Sequence, residues 1–165
     1  MMASGKSSVG RRLATELACG FVDLDEAVEA RTSLSVANIF AQHGEFNFRA
    51  CEAQVLRDLP RQIGHGVVAT GGGTPLHFDS MTFMRQSGTV VYLEATADTL
   101  TQRLAATRST RPMLAVTDWR ARVRELLDER APFYEQAHTS YAVDDASVEE
   151  IALGLAQQLP QVTGH

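Results

Sequence analysis

Met1-Met2-Ala3-Ser4-Gly5-Lys6-Ser7-Ser8-Val9-Gly10-Arg11-Arg12 opens the chain, and its centre, Gly5-Lys6-Ser7, is the back half of the pattern G-x-x-x-x-G-K-[ST]. In such a loop successive backbone N–H groups and a helix N-terminus cradle phosphates. The Lys reaches the β- and γ-phosphates, and the hydroxyl ligates Mg²⁺. The pattern's first glycine would fall one position ahead of Met1, and the strand that feeds such a loop has no counterpart in the sequence. The expectation is a phosphate-loop domain without its central strand, either because the reading frame starts upstream or because this is a truncated form.

Outward from the loop, Val9, Leu13 and Leu17 recur at i, i+4 and i+8 and predict an amphipathic helix over 6–18 that ends at Gly20. Phe21-Val22-Asp23-Leu24 reads as a short strand that opens into Asp25-Glu26 and a short helix. Ser35 caps a helix through Val36, Ile39 and Phe40, closed by His43-Gly44. A longer helix follows from about Glu45 to Leu59, with Phe48, Cys51, Val55 and Leu59 on one stripe and Pro60 as its stop. Gly66-Val67-Val68-Ala69-Thr70 is an apolar strand running into Gly71-Gly72-Gly73. A helix near 79–86 precedes Thr89-Val90-Val91-Tyr92-Leu93, the clearest buried strand. A helix through Leu100 and Leu104 leads to an arginine-bearing loop at 107–111. Asp118 caps a helix to Arg130, Tyr141-Ala142-Val143 is a last strand, and 148–159 closes the chain as a helix. Strands alternating with helices mean an α/β domain, three layers αβα, with a mainly parallel sheet covered on both faces. Ligands bind such sheets beyond the carboxyl ends of the strands.

At 165 residues the chain makes one domain, able to bury roughly 70% of the surface its unfolded form exposes. A net charge of −5 argues against a nucleic-acid partner but not against a nucleotide, which needs only local cations. Cys19 and Cys51 have no ligand-type spacing and read as two buried thiols in a reducing compartment. No apolar run approaches membrane-spanning length and no signal-peptide core is present, so the expected location is the cytoplasm.

Four clusters carry chemistry. Asp23-Leu24-Asp25 lies at a strand end, where alternate residues of an extended segment point one way and both carboxylates face one site; alone, Asp25 is equally a helix cap. Gly71-Gly72-Gly73 admits positive φ and close backbone approach to a ligand, or is a plain turn. Arg49 lies early in its helix, where the dipole does not favour a cation; the plainer reading is an Arg49–Glu52 surface pair at i,i+3. Arg130 falls on the apolar stripe Trp119, Val123, Leu126, where a cation needs an anionic partner. Arg49 and Arg130 together are suited to clamping a carboxylate. Arg111, ahead of Pro112, is placed as a lid cation.

Taken together and in order, G-K-S-S-V-G-R-R-L-A (5–14), F-V-D-L-D-E (21–26), I-F-A-Q-H-G-E-F-N-F-R-A-C-E (39–52), V-V-A-T-G-G-G (67–73), R-P-M-L (111–114) and E-R-A-P-F-Y-E (129–135) resemble shikimate kinase. The resemblance spans the chain to about Asp144. It implies transfer of the ATP γ-phosphoryl to the 3-hydroxyl of shikimate in chorismate and aromatic amino-acid biosynthesis. Lys6 and Arg111 would stabilise the transferring phosphoryl. Ser4, Gly5, Lys6, Ser7, Ser8 and Arg111 would contact ATP, while Ser7 and Asp23 would hold Mg²⁺. Asp25 would bind the shikimate hydroxyls and orient the attacking one. Arg49 and Arg130 would grip the carboxylate, Gly71, Gly72 and Gly73 would line the ring site, and Phe40 and Phe48 would wall it. The implied fold is a five-stranded parallel sheet of order 2-3-1-4-5 within one domain, 1–165, with the phosphate loop at 1–8, the shikimate-binding region at 25–52 and a lid at about 105–117. A monomer with small-molecule substrates, and no nucleic-acid or membrane partner, is expected. Arg103 and Arg108 both qualify as the adenine contact. Two departures stand out, a short lid with few charges and Thr74-Pro75 where the family favours a small apolar pair. The rivals are another phosphate-loop kinase, gluconate-type or acting on nucleoside monophosphates, and a non-catalytic nucleotide-binding relative.

Overall fold

The computed structural model describes residues 1–105, 114 and 116–159. Gly5, at φ 91°, begins helix α1 (Lys6–Glu16), which buries Val9, Leu13 and Ala14. Strand β1 (Gly20–Asp23) follows, and the Asp23 carboxylate caps α2 (Leu24–Thr32) by accepting from the Asp25 N–H at 3.0 Å. The cap is thus Asp23, and Asp25 stands in the first helical turn, not on an extended segment.

Ser35 caps α3 (Val36–Ile63) through the Asn38 N–H. Gly44 interrupts this helix at φ 77°, ψ 171°, a conformation open essentially to glycine alone, so two helices meet there at a kink. Pro60 does not end the second of them. The helix runs to Ile63, because a missing N–H forfeits one bond while the burial of Val55, Leu56 and Leu59 holds the last turns down.

Then come β2 (Gly66–Ala69), a 3₁₀ turn Thr74–Leu76, α4 (Ser80–Ser87), β3 (Val91–Glu94), α5 (Ala97–Leu104), α6 (Trp119–Tyr134), β4 (Thr139–Ala142) and α7 (Val148–Gln158). Asp118 caps α6, as its sequence suggests, but α6 continues through Pro132 to Tyr134. Ser147 and Glu150 form a reciprocal capping box at α7.

The sheet is in two parts. β1 and β2 run parallel with Phe21 opposite Val67 and Val22 opposite Val68, and β3 and β4 run parallel with Tyr92 opposite Ser140 and Leu93 opposite Tyr141. Among the described residues β2 and β3 do not pair. Between them lies an apolar cavity of about 510 Å³, lined by Val67 and Val68 on one side, Val91 and Leu93 on the other, and roofed by Val9 and Leu13 of α1. The place expected for a central strand is therefore a cleft. Its cost shows in the strands: of 89–93 only Leu93 is buried, against the expectation of a fully covered strand.

Each half-sheet keeps its own core. Leu24, Val28, Ile39, Phe48, Leu56 and Leu59 pack together beneath β1 and β2. The larger core joins α1 with β3, α6 and α7 through residues such as Leu13, Leu93, Val123, Leu126 and Leu155. Cys19 and Cys51 are free and half-buried, not buried. No helix of the described residues is long and apolar enough to cross a membrane.

Candidate active site

The chemistry-bearing residues gather at the carboxyl ends of β1 and β2. The end of β1 delivers Asp23, and the hydroxyl of Ser7, the second residue of α1, donates to Asp23 Oδ2 at 2.5 Å. Lys6 Nζ donates to the Met1 carbonyl at 2.5 Å, and Ser4 Oγ donates to the same oxygen at 3.0 Å, so the loop holds its own shape. Asp25 faces solvent in the concave space between these residues and Glu52. Its carboxyl is pushed above the ordinary range by the surrounding protein mass, then by the negative charges of Glu52 and Asp23; Lys6 and Arg49 pull the other way.

The glycine triplet works differently from the sequence-based expectation. None of its residues is among those of positive φ. What they supply is absence of side chain. A Cβ at Gly71 would stand 2.8 Å from Glu52 Oε1 and 3.5 Å from Asp25 Oδ1. A Cβ at Gly73 would stand 2.7 Å from Arg49 Cζ, and one at Gly72 would stand 3.4 Å from Arg130 Nη1. The two arginines therefore lie against bare backbone, 7% and 5% exposed respectively.

Arg49 is no surface residue. Its Nη1 donates to Glu52 Oε2 at 2.9 Å, and Glu52 is 1% exposed. Its Nε reaches Glu45 at 3.4 Å, and the guanidinium stands 4.9 Å from the Phe48 ring centroid. Phe40 and Phe48, from opposite sides of the Gly44 kink, pack with ring centroids 4.6 Å apart and planes tilted by 37°. The plain i,i+3 surface pair is thus replaced by a buried ion pair, because the buried stripe of α3 runs through Glu52 where Cys51 was expected.

Arg130 does lie on the buried face with Trp119, Val123 and Leu126. Tyr134, a turn beyond, is hydrogen-bonded with it and donates its hydroxyl to the Gly72 carbonyl at 2.6 Å. The sequence offers Glu52 only as a surface partner of Arg49 and Thr74 only as a departure from the family pattern, and it gives no signal for Tyr134. Arg103 donates to the Val143 carbonyl at 2.8 Å, tying α5 to the segment after β4. Arg108, Arg111 and most of the lid at 105–117 lie outside the described residues.

The site thus offers a phosphate loop, an acid pair and two buried guanidinium groups. The family model for shikimate kinase matches residues 2–160. The chain belongs to the shikimate kinase family. It is 40% identical over 151 residues to the shikimate kinase of Caldanaerobacter subterraneus subsp. tengcongensis, covering 92% of this chain and 87% of that relative. To the shikimate kinase of a Synechococcus species it is 40% identical over 162 residues, covering 98% of this chain and 80% of that one. The solved shikimate kinase from Acinetobacter baumannii, in complex with shikimate, superposes with a TM-score of 0.86 at 33% identity, over 95% of this chain and 87% of that one. The fold is accordingly that of this kinase family, and ATP use goes with it.

Proposed function

We propose that this chain transfers the ATP γ-phosphoryl to the 3-hydroxyl of shikimate, giving shikimate 3-phosphate and ADP. The observation that carries the reading is the convergence of two buried arginines, Arg49 and Arg130, on the bare backbone of Gly72 and Gly73, with Asp25 beside Gly71. Two guanidinium groups suit a carboxylate, and the aspartate suits a neighbouring hydroxyl. A nucleoside monophosphate acceptor would call for contacts to a base in place of a carboxylate clamp walled by Phe40 and Phe48.

In this mechanism Arg49 and Arg130 hold the acceptor's carboxylate, and Phe40 and Phe48 wall its ring with Gly71, Gly72 and Gly73. Asp25 orients the attacking hydroxyl and takes its proton as the oxygen bonds to the γ-phosphorus and the bond to the β–γ bridging oxygen breaks. Its raised proton affinity matches that task. Lys6 leaves the Met1 carbonyl for the β- and γ-phosphates, Gly5, Ser4 and Ser8 complete the cradle, and Arg111 completes the cation set from the lid. Mg²⁺ would fit Ser7 and Asp23, two hard oxygen donors that one hydrogen bond holds side by side. When bound it neutralises charge on the phosphates. We assign the chain as one domain, 1–165, acting as a cytoplasmic monomer without nucleic-acid or membrane partners.

The test is ADP release in the presence of Mg·ATP. Turnover with shikimate, and none with gluconate or nucleoside monophosphates, is expected; turnover with gluconate alone would overturn the assignment.

A further inference from the structure

Thr74 directly follows the glycine triplet, and none of the roles above uses it. It is fully buried, at the first position of the 3₁₀ turn. Its hydroxyl donates to Glu52 Oε1 at 2.7 Å. The other oxygen of the same carboxylate, Oε2, accepts from Arg49 Nη1 at 2.9 Å. Glu52 thus divides its two oxygens between one hydroxyl and one guanidinium.

The rest of the Arg49 environment leaves this as the deciding restraint. The bare backbone of Gly73 lies on one side of it, Phe48 on another, and Glu45 reaches it only at 3.4 Å from an exposed side chain. Among the described residues Glu52 is the one close anionic partner, and without Thr74 its carboxylate is free to turn about its terminal bond and carry the guanidinium with it. A buried carboxylate that loses a donor also has reason to turn, since it would seek a second bond from Arg49.

We propose that Thr74 is a positioning residue: its hydroxyl fixes the Glu52 carboxylate and thereby the orientation in which Arg49 receives the acceptor's carboxylate. The proposal rests on the role given to Arg49 above. The alternative is that the hydroxyl merely satisfies Glu52 and matters for stability alone.

Steady-state kinetics on the full chain separate the two. Thr74→Val keeps the shape and removes the donor; it is expected to raise the KM for shikimate about tenfold, the effect of one hydrogen bond to a charged group, with the KM for ATP within about twofold. Thr74→Ser restores the donor and is expected to return the shikimate KM to within about threefold of the parent. Should Thr74→Val not fold, Thr74→Ala, which also removes the donor, takes its place under the same criterion. An unchanged shikimate KM, an equal rise in both KM values, a lowered Tm with no kinetic change, or Thr74→Ser as impaired as the valine variant each overturns the proposal. Arg49→Ala is run alongside. If the parent does not turn over shikimate, the functional reading itself fails. If Arg49→Ala is impaired and Thr74→Val is not, the proposal alone fails.

Discussion

Asp25 stands in a setting that favours its protonated form, and the same setting should be visible in stability. Because its folded proton affinity is raised, the fold is favoured by this group at low pH, and that contribution is lost as pH rises above its unfolded value. Asp25→Asn, which is neutral throughout, is therefore expected to raise Tm slightly at pH 7 while lowering kcat by about 10²- to 10⁴-fold, the usual range for a lost general base. A drop in Tm alongside the lost activity would show that the site does not strain this carboxylate. Arg49 tests the other half of the site. Its guanidinium is committed to Glu52 and the triplet, far in role from the phosphate loop, so Arg49→Ala should raise the shikimate KM by about 30-fold or more, as for a broken charge-assisted contact. The ATP KM should move little, and equal changes in both would refute the carboxylate role.

Gly44 makes α3 into two helices, and the kink is what brings Phe40 against Phe48 and sets Arg49 under the triplet. A Cβ at Gly44 meets nothing within 4 Å, so space does not require glycine there; the backbone angles do. Gly44→Ala is expected to cost about 1–3 kcal/mol in stability through strain alone, read as a lower urea midpoint with unchanged slope, and to raise the shikimate KM as the two aromatic walls part. The kink was legible in the sequence, since His43-Gly44 closes one periodic stretch and Glu45 opens the next. So were the caps at Ser35 and Asp118, because a hydroxyl or carboxylate before an apolar period is a local signal. What stayed illegible was set by tertiary packing. Pro60 read as a stop and Arg130 as a helix end, yet burial on either side carries both helices onward, to Ile63 and Tyr134. Glu52 read as a surface partner, since only the approach of the glycine turn makes that face of α3 dry. The triplet's residues were recognisable, but their task of leaving room for two arginines becomes visible only once three distant segments meet.

The two half-sheets meet across the cleft between β2 and β3, and this feature bears on how well the molecule holds together. Among the described residues each flanking strand has one edge without a partner across the gap, and the side chains lining it are mostly apolar. At its mouth the Met1 amine is buried beside Lys6 and Arg130 and is pushed down to about 3, first by burial and then by those two cations. An amine depressed in the fold works against folding wherever the unfolded chain still binds its proton. Its contribution is unfavourable near pH 7 and disappears as pH rises through the ordinary value of 8.0. Joining five extended, β-branched residues and a glycine ahead of Met1 would turn this amine into an amide and lay an apolar strand along the cleft. The new strand would run parallel to both neighbours and satisfy both edges. The extended chain is expected to gain at least about 5 °C in Tm, on the order of 1–2 kcal/mol. It should bind less anilinonaphthalene sulfonate, since the dye reports exposed apolar surface. A control extension of alternating Gly and Ser should remove the amine but fill no cleft, and so separate the electrostatic part of the gain from the packing part. Equal Tm values for the apolar and the Gly-Ser extensions would mean that the cleft closes by itself and that the half-sheets need no strand between them.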